Sequence, residues 1–330
     1  MIKQISNLNP NVFAPTVEQV PIRKGFGEGL LAAATADPRV VGLCADLTES
    51  TQMHLLKEKF PNRFIEVGVA EQNLATVAAG MAAMGKIPFF SSYAMFSPGR
   101  NWEQIRTTIS YNDVPAIVVG SHAGISVGPD GGTHQAIEDI ALMRVVPNMM
   151  VVSPCDAVEA RKATIALAAH GKPTYLRLAR EKTPVITTEQ TPFELGKVVT
   201  FFEAENPVVA VFATGGLVHR ALVAARTLAE RGIATRVINV HTIKPLDIEG
   251  VLAAAAGMRG VVSVEEHQVA GGLGSAIAEL LAERAPVPMR FVGVRDKFGQ
   301  SGTPDELIKH YGMDETAIIA AVESLLAPRS

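Results

Sequence analysis

The sequence predicts an α/β protein with two doubly wound domains, a parallel sheet in each. Three observations carry this reading. Short β-branched runs alternate with segments of helical period along most of the chain, and the connections between them are short. The alternation breaks once, over residues 181–196, where prolines and threonines replace the periodic pattern. It then resumes to the end. In the first half, strands are expected at 40–46, 64–68, 87–91, 116–120, 149–153 and 174–178. Helices are expected between them at 51–60, 71–84, 101–111, 134–145 and 156–170. In the second half, strands fall near 208–213, 236–240, 260–265 and 289–294, with helices near 218–231, 248–256, 275–284 and 305–309. The expected division is an N-terminal arm, 1–20, a first domain, 21–185, a linker, 186–195, and a second domain, 196–330.

Composition excludes several classes. The 330 residues carry 30 Lys+Arg against 33 Asp+Glu, a formal charge of −3, without long basic runs, which argues against nucleic acid as a partner. At 48% hydrophobic and 19% charged, the chain can bury a large core. No run reaches the roughly 18 apolar residues that a membrane span needs. Residues 1–21 hold no apolar core, so they read as a short natural lead and not as a secretory signal. Cys44 and Cys155 make neither a disulfide framework nor a zinc spacing. A cytoplasmic globular protein is expected.

In parallel sheets ligands sit beyond the carboxyl ends of the strands, so those loops are where chemistry is sought. Glu71 ends one such loop, Phe64-Ile-Glu-Val-Gly-Val-Ala-Glu71-Gln-Asn, and opens a helix marked by Leu74, Val77, Ala78 and Met81. An acid in a first helical turn is also favoured by the helix dipole alone. Glu66 competes with it, because strand alternation does not say which face Glu66 takes. A second loop, Ser121-His-Ala-Gly-Ile-Ser-Val-Gly-Pro-Asp-Gly-Gly-Thr-His134, places His122, Asp130 and His134 in one glycine-rich stretch. It is long for an α/β connection, which favours function over filler. Its spacing is not that of a zinc site. Arg23, Ser50 and Arg180 are further candidates; Ser50 and Arg180 close strand-to-loop segments, and arginine suits an oxyanion because its fork binds two oxygens. Gly25-Phe-Gly-Glu-Gly29 lacks the preceding strand that a nucleotide fingerprint requires. Gly271-Gly-Leu-Gly274 could hold an anion or allow tight helix–strand packing, and His267 before it could be core or site.

Taken together, these pieces resemble the transketolase family of thiamine diphosphate enzymes. The matching segments are Gly42-Leu-Cys-Ala-Asp46-Leu-Thr-Glu-Ser50, Gly68-Val-Ala-Glu71-Gln-Asn, Ser92-Tyr-Ala-Met-Phe96, Gly120-Ser-His122, Gly128-Pro-Asp130-Gly-Gly-Thr-His134-Gln and Leu178-Ala-Arg180, in family order. The likeness runs from about Arg23 onward. It covers the family's pyrimidine-binding and C-terminal domains and omits the diphosphate-binding domain, whose Gly-Asp-Gly motif does not occur here.

The resemblance implies a split enzyme that transfers a two-carbon ketol unit from a ketose phosphate to an aldose phosphate. The implied cofactor is thiamine diphosphate, with Mg²⁺ (or Ca²⁺) held by a separate N-terminal subunit, and the implied assembly is α2β2. Glu71 matches the catalytic glutamate that hydrogen-bonds the cofactor's pyrimidine. Phe96 matches the aromatic that stacks on that ring, with Tyr93 beside it, and Asp46 matches an acid that helps bind the cofactor. His134 matches a residue at the donor's C1 region, and Asp130 one that reads the acceptor's C2 hydroxyl. Arg23, Ser50, His122 and Arg180 match the group that holds the sugar phosphate. Other readings are the beta subunit of a 2-oxo acid dehydrogenase, a relative of 1-deoxyxylulose-5-phosphate synthase, or a binding subunit with a decayed site.

Overall fold

The computed structural model describes residues 2–3 and 7–327. Positions 1, 4–6 and 328–330, at the outer ends of the expected arm and second domain, lie outside the described residues. In chain order the elements are β1 Ile2–Lys3, β2 Gln19–Pro21, α1 Ile22–Ala36, β3 Val40–Cys44, α2 His54–Lys59, β4 Phe64–Glu66, α3 Glu71–Ala83 and β5 Ile87–Tyr93. Then come α4 Trp102–Gln104, continued by a π-helical turn Ile105–Ser110, β6 Ile117–Ser121, α5 Asp139–Arg144, β7 Met150–Val152, α6 Ala157–His170, β8 Thr174–Arg177 and β9 Lys182–Pro184. The second half holds β10 Val199–Ala204, β11 Val209–Ala213, α7 Val218–Glu230, β12 Thr235–Asn239, β13 Thr242–Lys244, α8 Ile248–Ala255, β14 Gly260–Gln268, α9 Leu273–Arg284, β15 Met289–Val294, α10 Pro304–His310 and α11 Glu315–Leu326.

A seven-stranded sheet runs β13-β7-β8-β6-β5-β3-β4, parallel except for β13. Its winding reverses between β3 and β5, which opens a crevice at their carboxyl ends. A six-stranded sheet runs β1-β10-β12-β11-β14-β15, parallel from β12 to β15. Alternation along the central β11 sorts its side chains. Val209, Val211 and Ala213 pack towards α7 and α11, while Ala210 and Phe212 join a core that continues into the first sheet through Val41, Leu43 and Phe90. The two sheets therefore share buried apolar surface, and β13 from the second half completes the edge of the first.

Two departures from the expected elements have local causes. The glycine stretch 25–29 lies inside α1, whose buried face carries Ile22, Phe26 and Leu30 at helical spacing. A Cβ on Gly25 would overlap the Ala157 carbonyl and one on Gly29 would lie 2.8 Å from the Arg161 carbonyl, so these two glycines let α1 and α6 touch backbone to backbone. The helix expected at 134–145 begins only at Asp139. Ala136 instead bridges Ala123, and the Gln135 side chain binds loop carbonyls. At 271–274 the choice falls to packing. Glu265 accepts the N–H groups of Leu273 (2.7 Å) and Gly274 (2.8 Å), so a protein carboxylate already occupies the amino end of α9. His267 is fully buried, with Nδ1 on the Gln268 carbonyl (2.7 Å) and Nε2 accepting the Ala141 N–H (3.3 Å). These partners assign an Nδ1–H tautomer that fastens the two sheets together.

Between α6 and β12 lies a buried carboxyl with a pH signature. Glu159 accepts the Cys155 N–H and the Asn239 amide, each at 2.7 Å. Burial, aided by neighbouring Asp156, pushes its pKa up to about 7 from 4.5. The folded chain therefore keeps a proton between those values that the unfolded chain releases. Stability falls as pH rises through that window. Asn239 Oδ1 is buried without a partner, so its amide can turn to accept from a protonated Glu159 or from a glutamine there. Glu159→Gln is expected to flatten the fall in melting temperature across the window, recovering up to about 3 kcal/mol at its alkaline end. Melting curves at several pH values check this; an unchanged slope refutes it.

Candidate active site

The crevice at the reversal point gathers residues from five loops. Glu71, 5% exposed, opens α3 where the chain leaves β4. Asn101, fully buried, donates to the Glu71 carbonyl (2.9 Å) and to Ser97 Oγ (3.1 Å), tying the start of α3 to the loop after β5. Ser92 Oγ stands 3.5 Å from Glu71 Oε1. Glu71 and Phe96 line one cleft of about 470 Å³, with Gln72, Asn73 and Arg100 around it. A carboxyl and an aromatic face in one cleft fit an aminopyrimidine, which offers ring nitrogens and a flat surface.

A ring cluster adjoins this cleft. Tyr93 stacks on His122 at 3.9 Å between centroids and lies 6.3 Å from Phe96. Phe96 meets His134 edge-on at 5.4 Å. His122 holds a left-handed backbone (φ 56°), which turns its ring back under the end of β6, where Nδ1 contacts Ser121 Oγ at 2.9 Å. Burial, with Arg23 and Arg180 nearby, depresses its pKa to about 3, so the ring is neutral.

Arginines complete the group. Arg23 Nη1 donates to the Ser50 carbonyl (2.6 Å) and Nε to the Arg180 carbonyl (3.2 Å). Arg180 Nη1 donates to the Val127 carbonyl (2.6 Å) and faces Asp130 Oδ1 at 3.5 Å. Burial lowers the Arg23 pKa, and among the charged neighbours Arg180 lowers it further. Arg180 Nε also faces Glu181 Oε1 at 3.5 Å, whereas the Arg23 guanidinium rests on carbonyls, which leaves its positive charge to be met by an anion.

The structure thus brings together nine of the ten expected site residues: Glu71, Phe96, Tyr93, His122, His134, Asp130, Arg180, Arg23 and Ser50. Asp46 follows β3 at the crevice's edge, exposed and with φ 59°, and its N–H is held by Glu66. Glu66 proves to be a loop fastener: it accepts the N–H groups of Asp46 (2.7 Å) and Gly68 (2.9 Å) and the Thr48 hydroxyl (3.0 Å). Arg100 and Asn101 were not expected. Asn101 read as an ordinary helix start, and only its long-range bond to Glu71 reveals its place. Among the described residues no group of three or more His, Cys, Asp or Glu is placed to hold a metal ion.

Family models match most of the chain. Residues 18–185 fit the transketolase pyrimidine-binding domain and residues 200–318 the transketolase C-terminal domain. The chain belongs to the transketolase family. It is similar to a transketolase C-terminal section of Methanocaldococcus jannaschii, 41% identical over 300 residues, which cover 90% of this chain and 93% of that protein. It is similar to the 6-deoxy-6-sulfo-D-fructose transketolase subunit SqwH of a Clostridium species, 41% identical over 313 residues, covering 95% and 97%. A solved split-gene transketolase, described as an inactive β4 tetramer, superposes with a TM-score of 0.87 at 41% identity, covering 93% of this chain and 98% of that one. The chain is thus a transketolase-family subunit of the split kind, with the two domains that follow the diphosphate-binding one. The transketolase family depends on thiamine diphosphate. No described helix of this transketolase subunit is long and apolar enough to cross a membrane.

Proposed function

We propose that this chain is the pyrimidine-binding half of a thiamine-diphosphate-dependent ketol transferase acting in the cytoplasm. It works with a separate subunit that binds the diphosphate through Mg²⁺ (or Ca²⁺), as α2β2. Residues 21–185 form the pyrimidine-binding unit, 186–195 the linker and 196–330 the C-terminal unit. The observation that supports this best is the shared cleft of Glu71 and Phe96, with the arginine pair and the ring cluster beside it.

Bound thiamine diphosphate supplies a nucleophilic carbon for cleaving the C2–C3 bond of a ketose. The residues of this chain do the rest. Glu71 holds a proton at the pyrimidine nitrogen, and Phe96, supported by Tyr93, keeps the ring flat against the cleft wall. Asp46 contacts the cofactor from the neighbouring loop. His134 reaches the donor's C1 region, and Asp130 reads the acceptor's C2 hydroxyl. Arg23, Arg180, Ser50 and neutral His122 hold the sugar's terminal anion. That set reads a tetrahedral oxyanion, which a phosphate presents and which the sulfonate of a sulfo-sugar also resembles.

The chain alone is expected to show no ketol transfer. The complex reconstituted with its diphosphate-binding subunit, thiamine diphosphate and Mg²⁺ is expected to convert a ketose phosphate and an aldose phosphate. Activity on a 2-oxo acid with none on sugar phosphates would overturn this reading, as would tight Mg²⁺-dependent cofactor binding by the isolated chain.

A further inference from the structure

The loop from His122 to Gln135 holds one short regular piece, a 3₁₀ helix over Ile125–Asp130 that is interrupted at Gly128 (φ 80°, ψ −116°). His122, Gly124 (φ 90°), Gly128 (φ 80°) and Gly131 (φ 75°) all take left-handed backbone. Outside that helix its backbone bonds are few: Gly131 to Gly128 (3.1 Å), His134 to Gly131 (2.9 Å) and, to its flank, Gly124 to Ala136 (2.8 Å). Yet it carries both Asp130 and His134. Beyond that interrupted helix, the loop's shape depends on what packs beneath it.

Two buried side chains supply that support. Gln135 Nε2 donates to the carbonyls of Ile125 (3.0 Å), Gly128 (3.3 Å) and Gln300 (2.9 Å), and Oε1 is buried without a partner. Glu266, at the end of β14, accepts the Ser126 N–H at 2.6 Å. The Arg177 side chain, itself bound to Asp139 at 2.7 Å, holds the Glu266 carbonyl at 2.8 Å. The loop glycines then meet residues 299–302 closely. A Cβ on Gly132 would lie 2.7 Å from the Gly299 carbonyl, one on Gly131 2.7 Å from Ser301 Oγ, and one on Gly128 3.3 Å from the Gly302 carbonyl. A Cβ on Gly299 would overlap the Gln135 carboxamide.

We propose that Gln135 and Glu266 are positioning residues through which the second half of the chain fixes the loop bearing Asp130 and His134, and so sets how the sugar is recognised. The sugar half of this statement rests on the ketol-transfer reading; the loop half does not. The second sheet is thereby more than a structural prop: its segment 299–302 and the end of β14 form the underside of the substrate loop.

Hydrogen exchange on the full chain and kinetics of the two-chain complex test it together. In Gln135→Ala and Glu266→Ala, amides of residues 124–134 are expected to exchange at least about tenfold faster, while those of β6 and β11 keep their protection. In the complex, KM for the sugars is expected to rise about tenfold or more, with cofactor affinity within about twofold. Glu266→Gln keeps an oxygen for the Ser126 N–H and is expected to restore both readouts. Gly299→Ala, in a half-buried surface segment, disturbs Gln135 from the other side and is expected to reproduce the alanine phenotype if either buried variant fails to fold. Unchanged loop exchange in Gln135→Ala, Glu266→Ala and Gly299→Ala overturns the proposal. Faster exchange with unaltered KM overturns its recognition half. A wild-type complex without ketol transfer instead removes the functional reading, and the exchange result still decides the loop.

Discussion

Glu71→Gln in the reconstituted complex is expected to lower kcat for ketol transfer by about 10²- to 10⁴-fold, the usual worth of a positioned acid–base group. The substitution keeps shape and volume, and Glu71 is held by its backbone as well as by its side chain. Its carbonyl accepts from Asn101, and α3 buries Leu74, Ala75, Ala78 and Ala82 behind it. The variant should therefore fold, assemble and melt like the parent. What it loses is a carboxyl able to share a proton with the pyrimidine. An amide can donate or accept but cannot exchange that proton. Steady-state kinetics with saturating cofactor check the result, with assembly followed by sedimentation. Full activity in Glu71→Gln would remove Glu71 from catalysis and the pyrimidine-binding assignment with it.

Much of this site was legible in the sequence because an α/β fold puts function at strand ends. Once β3, β5, β6 and β8 are placed in parallel, residues 46–50, 93–96, 121–134 and 180 must cluster. Other features resisted reading for physical reasons. α1 was missed because glycine is a poor helix former, although Ile22, Phe26 and Leu30 keep helical spacing through the stretch. Glu66 and Glu71 could not be separated by pattern, since only the fold of the loop between β3 and α2 brings Glu66 two of its three donors, Asp46 N–H and the Thr48 hydroxyl. Asn101 acts over thirty positions on Glu71, and no local pattern encodes such a bond. The clamp of Gln135 and Glu266 joins residues 140 and 165 positions apart, Ser126 to Glu266 and Gln135 to Gln300. His267 stayed open for the same reason: its ring partners lie on its own strand and on α5.

Arg180→Ala is expected to weaken phosphorylated sugars selectively. Removing one charged hydrogen-bonding partner of an anion corresponds to about 10- to 100-fold in KM. Arg180 also supports the loop through the Val127 carbonyl, so part of the loss could come from displaced Asp130 and His134. The comparison with an unphosphorylated ketose separates the two causes. Loop displacement raises KM for both substrates, whereas loss of the anion contact raises it only for the phosphorylated one. The expected outcome is that the preference for the phosphorylated substrate falls by most of the total effect. Arg180→Lys should recover part of it, because an ammonium group keeps the charge but loses the two-pronged geometry. His122 sharpens the test. Its pKa, about 3, leaves it uncharged across the working range, so it contributes a neutral hydrogen-bonding ring and no titrating charge. The pH dependence of KM should then follow the second ionisation of the phosphate, near pH 6, in the parent and in Arg180→Ala alike. Equal losses for both sugars would assign Arg180 to the loop alone and leave the anion to Arg23.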